Sequence, residues 1–139
     1  MSAYVVDAGV AVKWILDEPH SDAARRLEGA GHILLAPDFL FVEVGNVLWK
    51  RVQANSLTAD EAQRLLRALA TAPLSLRAAH LLVADALDLA CRHARTVFDS
   101  LYVALAVHEG AQLVTADRRL FNALQSGPLA SYLQWVGDL

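Results

Sequence analysis

Short apolar runs, each closed by a polar or turn-forming residue, alternate along this chain with stretches whose apolar positions recur every three or four residues. Residues 3–7 read as a short buried strand rich in valine and tyrosine, and Val10 to Leu16 as a helical turn or two that stops near Pro19. A second helix is predicted from Ser21 to Glu28, with Ser21 as its N-cap and Gly29 and Gly31 as the stop. Ile33 to Leu35 reads as a second strand, after which Pro37 and Asp38 open a long helix to about Ala54. Thr58 followed three residues later by Glu61 is a capping-box pattern. It predicts a helix to about Ala72 with Ala62, Leu65, Leu66 and Leu69 on one face, ended by Pro73.

Further along, Leu74 to Leu76 reads as a third strand, His80 to His93 and Phe98 to His108 as helices, and Gln112 to Thr115 as a fourth strand. Arg118 to Gln125 completes the helices, and Tyr132 to Val136 reads as a last strand. Short buried strands alternating with helices predict an α/β fold on a parallel sheet. No linker, repeat or low-complexity segment interrupts the pattern, and 139 residues suit one domain with a proper core.

Composition adds one point to that picture. The hydrophobic fraction is 55% before glycine is counted, against about 45–50% with glycine included in ordinary globular domains. Such an excess implies further buried surface, in a homodimer or a groove for a partner; Trp14 and Trp49 are candidate groove residues, with a core role the alternative for each. No apolar run approaches the roughly 20 residues of a membrane helix, no basic leader precedes the first strand, and the single cysteine, Cys91, has no partner for an internal disulfide. The expectation is therefore a cytoplasmic protein without a membrane segment. The net charge of −3 argues against a protein that coats nucleic acid through bulk charge, but not against a local basic rim.

Four acids stand where an ordinary fold prefers apolar or neutral residues. Asp7 ends the first strand, Glu43 interrupts an apolar helix face formed by positions 39, 40, 44, 47 and 48, Asp99 opens a buried-looking helix, and Asp117 follows the fourth strand. Each has a bland alternative: a turn former at Asp7, an ion pair with arginine at Glu43, and helix-terminus stabilisation at Asp99 and Asp117. In open parallel sheets, however, ligands bind outside the carboxyl ends of the strands, where Asp7 and Asp117 both fall. Several carboxylates in one place raise each other's pKa, and a hard divalent cation with oxygen ligands is their natural counter-charge. The pattern points to metal-assisted phosphodiester chemistry. Asn46, one helical turn after Glu43, is an accessory candidate or a plain surface amide; Lys13, Arg118 and Arg119 are candidate phosphate contacts or solvated charges.

Other chemistries lack their residues. The histidines show no zinc spacing, no glycine-rich phosphate loop is present, Ser100 lacks a nucleophile elbow, no lysine follows Lys50 to serve a phosphoacceptor site, and Asp7 has no second acid two residues on.

The segments Val5-Val6-Asp7-Ala8, Glu43-Val44-Gly45-Asn46-Val47-Leu48, Phe98 through Ala106 and Leu113-Val114-Thr115-Ala116-Asp117 resemble, in order and spacing, the motifs of PIN-domain nucleases. Val6 through Trp14 is similar to the start of VapC-type toxins of bacterial toxin–antitoxin pairs. The resemblance spans nearly the whole chain. It implies a single PIN domain over 1–139, a three-layer α/β/α fold with a central, mostly parallel sheet of about four to five short strands. It also implies Mg²⁺- or Mn²⁺-dependent RNA cleavage, homodimerisation and inhibition by a small antitoxin. On it, Asp7, Glu43, Asp99 and Asp117 match the metal-binding acids, Thr115 the small polar residue that orders them, and Asn46 a frequent accessory position. Gly9 departs from the serine many relatives carry, which removes a hydroxyl from the site and leaves the backbone N–H. The alternatives are a PIN nuclease of RNA maturation and a non-catalytic PIN-like binding module.

Overall fold

The computed structural model describes residues 2–139. Its framework is a sheet of five strands, β1 (Ala3–Val6), β2 (Ile33–Pro37), β3 (Leu74–Arg77), β4 (Gln112–Thr115) and β5 (Leu133–Trp135). They lie in the order β3-β2-β1-β4-β5, and every neighbouring pair is parallel. The central strands carry the deepest side chains, Val5 and Val6 on β1 and Leu113 and Val114 on β4, all fully buried. Such strands read as continuous apolar runs because both faces are covered.

Seven helices connect the strands: α1 (Ala8–Ile15), α2 (Ser21–Gly29), α3 (Leu40–Gln53), α4 (Ala59–Leu69), α5 (Val83–His93), α6 (Val97–Glu109) and α7 (Arg118–Leu124). α6 packs against β1, β2 and β4 with α5 beside it, whereas α1 gathers α2, α3 and α4 into a second group. Sheet and two helix groups form the expected three-layer α/β/α arrangement. Ser100 to Ala106 on α6 are all buried, as a helix wedged between sheet and helix requires. Trp14 belongs to this core, its indole Nε1–H donating to Ala24 O at 2.8 Å, while Trp49 stays 56% exposed. Among the described residues no helix is long and apolar enough to cross a membrane.

The structure corrects several element boundaries. Ser21 is the first residue of α2 and not its N-cap; the preceding His20 takes left-handed backbone (φ 70°), and the Ser21 hydroxyl donates to Leu16 O while accepting from Glu18 N–H. Pro37 is the last residue of β2 and not part of a helix opening, since its missing N–H is tolerated at a strand end. Asp38 instead accepts from Ala79 N–H at 3.0 Å, tying the ends of β2 and β3 together. The helix expected from His80 is divided into a 3-10 turn at Ala79–Leu81 and α5 from Val83. The Thr58–Glu61 capping box forms with both reciprocal hydrogen bonds, although α4 ends at Leu69. Gly137 is required by close approach: a Cβ there would lie 2.6 Å from Trp135 Nε1 and 2.8 Å from His20 Cε1.

Burial ranks the leucines for stability. Leu113→Ala, at a position fully buried between β1 and β5, is expected to cost roughly 2–5 kcal/mol in urea denaturation. Leu81→Ala, at a side chain 74% exposed, should stay within about 0.5 kcal/mol of wild type.

Candidate active site

A parallel sheet sends every strand-to-helix turn to the same rim. With the order β3-β2-β1-β4-β5, successive connections diverge between β1 and β4, and the crevice at such a switch point is where this architecture binds ligands. A cleft of about 230 Å³ lies there, lined by Asp7, Gly9, Glu43, Asp99, Tyr102 and Asp117 among others. All four acids singled out from sequence thus border one cavity. Each stands at a helix start: Asp7 caps α1, Asp117 caps α7, and Glu43 and Asp99 sit in the first turns of α3 and α6. The positive ends of four helix dipoles therefore face these carboxylates.

Asp7 is the deepest of them, 8% exposed. Its Oδ1 accepts from Val10 N–H at 2.9 Å; its Oδ2 accepts from the Thr115 hydroxyl at 2.5 Å and from Ala116 N–H at 3.3 Å. Burial pushes its pKa from the ordinary 3.8 up to about 6, against those three hydrogen bonds, with a further push from Asp117. Thr115 also accepts from Asp117 N–H at 3.0 Å, so one hydroxyl links two of the acids. The Asp117 carboxylate accepts from Arg119 and Leu120 N–H, so the helix-cap role and a place in the cleft coexist.

Glu43 has no cationic partner among the described residues, which removes the ion pair with arginine as its explanation. Its carboxylate accepts from the Tyr102 phenol at 2.5 Å. Burial raises the Glu43 pKa, the Tyr102 hydrogen bond opposes this, and Asp7 and Asp99 add to it. Burial likewise raises Asp99, joined by the charge of Asp117 and opposed by Arg95 and Thr96. Burial first, then the Glu43 charge and hydrogen bond, push the Tyr102 phenol far above its ordinary range, so it stays a donor. Phe39 and Phe98 stack at 5.2 Å and pin the starts of α3 and α6 beside each other.

The accessory candidates divide. Thr115 is fully buried between Asp7 and Asp117. Asn46 is exposed and does not line the cleft. Lys13, expected at a phosphate, is buried and paired with Glu18 at 3.4 Å, which also binds Arg51 at 2.5 Å; a buried ammonium needs that carboxylate. Arg118 lays its guanidinium over the Trp135 ring at 3.7 Å, and Arg119 is exposed at the start of α7. At Gly9 an added Cβ would lie 3.2 Å from Ala116 Cβ and 3.4 Å from Asp7 Oδ1, so a side chain there would crowd the Ala116 methyl and the Asp7 carboxylate. Sequence reasoning gave Tyr102 no role. The signal was a hydroxyl in an aliphatic run, one helical turn after Asp99, since a buried phenol needs a partner.

The donor set is oxygen alone: no histidine or cysteine lines the cleft, and no ion pair neutralises its acids among the described residues. That chemistry fits a hard divalent cation. Among the described residues, no three His, Cys, Asp or Glu side chains close on one point as a ready-made coordination sphere. The fit is one of donor type and charge.

Known proteins share this frame. The model of the PIN domain family matches residues 4–125. Ribonuclease VapC3 of Pyrobaculum aerophilum is 36% identical over 118 residues, covering 84% of this chain and 90% of its own length. The crystal structure of PAE2754 from Pyrobaculum aerophilum superposes with a TM-score of 0.73 at 23% identity, covering 98% of this chain and 92% of that one. The crystal structure of VapBC2 from Rickettsia felis bound to a DNA fragment from their promoter gives a TM-score of 0.63 at 14% identity, covering 96% and 98%.

Charge buried at Asp7 has a measurable signature in chelator. Between about pH 3.8 and 6 the folded state binds more protons at this group than the unfolded chain, so its contribution makes stability fall as pH rises, by about 3 kcal/mol in all. Asp7→Asn removes that slope, and with the amide NH2 in place of Oδ2 the Thr115 hydroxyl and Ala116 N–H each lose their acceptor, roughly 1 kcal/mol apiece. Its melting temperature at pH 7.5 is expected to rise by roughly 3 °C in differential scanning calorimetry. Thr115→Val should act oppositely, lowering stability by about 1–3 kcal/mol, because Asp7 loses a donor and Asp117 N–H an acceptor.

Proposed function

The chain belongs to the PIN-domain family, and on that premise we propose that it is a divalent-metal-dependent endoribonuclease acting as the VapC-type toxin of a toxin–antitoxin pair. One observation carries the proposal: Asp7, Glu43, Asp99 and Asp117 line a single cleft with no ion pair to balance them among the described residues. The 36% identity to Ribonuclease VapC3 supports RNA as the substrate.

Asp7 and Asp99 are the first choices to hold Mg²⁺ or Mn²⁺, with Glu43 and Asp117 completing the set or orienting the attacking water. The chemistry such a cation supplies when bound is polarisation of a phosphodiester and a lower pKa for water. Thr115 keeps the Asp7 carboxylate turned to the cleft and ties the backbone of Asp117 to it. Three hydrogen bonds to Asp7 offset part of the burial penalty and favour its charged form. Two basic side chains are candidates to meet a phosphate: Arg95, whose charge acts on Asp99, and Arg119, exposed in the first turn of α7. In this reading the whole chain, 1–139, is one PIN domain that works in the cytoplasm as a homodimer held in check by a small antitoxin. The hydrophobic fraction of 55%, above that of ordinary globular domains, supports protein–protein assembly.

Purified protein incubated with total RNA and Mg²⁺ or Mn²⁺ is expected to give discrete fragments whose mapped ends name the target. Asp7→Asn and Asp99→Asn should each lower the rate by at least about 100-fold, and chelator should abolish it. Mn²⁺ should raise the melting temperature of the wild type but not of Asp7→Asn. Cleavage that persists in chelator would sink the metal-dependent reading.

A further inference from the structure

The four acids are held unequally. Asp7 is fixed by three donors and Asp117 by two backbone amides, both within rigid strand-to-helix turns. Glu43 has a longer side chain with more rotamer freedom to lose, and among the described residues a single hydrogen bond reaches its carboxylate. That bond comes from Tyr102 on α6, 59 positions along the chain, at 2.5 Å. Tyr102 is 3% exposed in an aliphatic stretch, Leu101 to Ala106, where a phenylalanine would fill the same space. Its hydroxyl, costly to bury without a partner, makes no other hydrogen bond among the described residues.

We propose that Tyr102 is a positioning residue: its phenol holds Oε1 of Glu43 and thereby presents the other carboxylate oxygen to the divalent cation in the cleft. The proposal rests on the metal-dependent reading above. Asp99 and Tyr102, three residues apart on α6, make one helix serve two acids, presenting the first and orienting the second. A donor behind a ligating carboxylate works as outer-shell partners do at metal sites, fixing orientation before the cation arrives. Because the bond spans α3 and α6, it also sets the distance between the two helix starts on which Glu43 and Asp99 stand.

Isothermal titration of the chelator-treated full-length protein with Mn²⁺ alone tests this without any turnover. Tyr102→Phe is expected to weaken Mn²⁺ binding by about tenfold. In RNA cleavage, kcat at limiting Mn²⁺ should fall in proportion while the KM for RNA holds, and saturating Mn²⁺ should restore the rate. Against a Glu43→Gln background, Tyr102→Phe should add no further loss in affinity, because the carboxylate it orients is gone. Equal Mn²⁺ affinity in wild type and Tyr102→Phe overturns the positioning role alone, as does an undiminished tenfold loss in the Glu43→Gln background, which would mark a general packing effect. Absence of Mn²⁺ binding by the wild type overturns the metal-dependent reading and this proposal with it.

Discussion

A carboxylate taken out of water at the end of the central strand governs how this molecule is put together. Asp7 is 8% exposed, and a charge so placed persists only if the chain around it supplies donors. Those donors come from three directions: Val10 N–H in the first turn of α1, the Thr115 hydroxyl at the end of β4, and Ala116 N–H in the turn that follows. Satisfying one side chain therefore locks β1, α1 and the β4–α7 turn in mutual register. Even so, burial outweighs the hydrogen bonds and leaves the pKa near 6. The fold carries a cost at this point that an ordinary strand end would not.

The same geometry explains why the other acids arrive where they do. Every connection in a wholly parallel sheet returns the chain to the same edge, so strand ends and helix starts collect on one rim. Asp7, Glu43, Asp99 and Asp117 each occupy a cap or first turn, where partial positive charge on free N–H groups favours an anion. Four such termini offset part of the repulsion among four carboxylates, but not all of it, since burial and neighbouring acids still raise Asp7, Glu43 and Asp99. A cleft with oxygen donors and surplus negative charge is suited to a hard cation, whose binding energy would offset what folding leaves unfavourable.

Holding the acids falls to few side chains. Thr115 serves Asp7 and Asp117, Tyr102 serves Glu43, and the Phe39–Phe98 stack keeps α3 and α6 together at the ends that carry Glu43 and Asp99. Most cations near the site are committed elsewhere, Lys13 to Glu18, Arg51 to the same carboxylate and Arg118 to the face of Trp135, while Arg95 acts on Asp99 without forming an ion pair. An arginine or lysine inside the cleft would neutralise the field a divalent ion needs.

Local pattern settled the elements, because helix and strand periods are properties of neighbouring residues. The run Leu113-Val114-Thr115 followed by Asp117 already marked a buried strand with an acid at its carboxyl end, and an acid in the middle of the apolar face of α3 marked Glu43 as anomalous. Family motifs added the order of the four acids. Boundaries set by long-range bonds escaped that reading: Asp38 answers to Ala79, and the turn before α2 forms around the hydroxyl of Ser21, not with it as a cap. Lys13 looked like a phosphate contact because nothing in its own helix shows Glu18 folding back over it. By itself the sequence determined an α/β chain with acids at strand and helix ends. Only the tertiary structure decided which donors face them, above all the phenol of Tyr102 on Glu43, since a hydrogen bond between residues 59 positions apart exists only once two helices have packed.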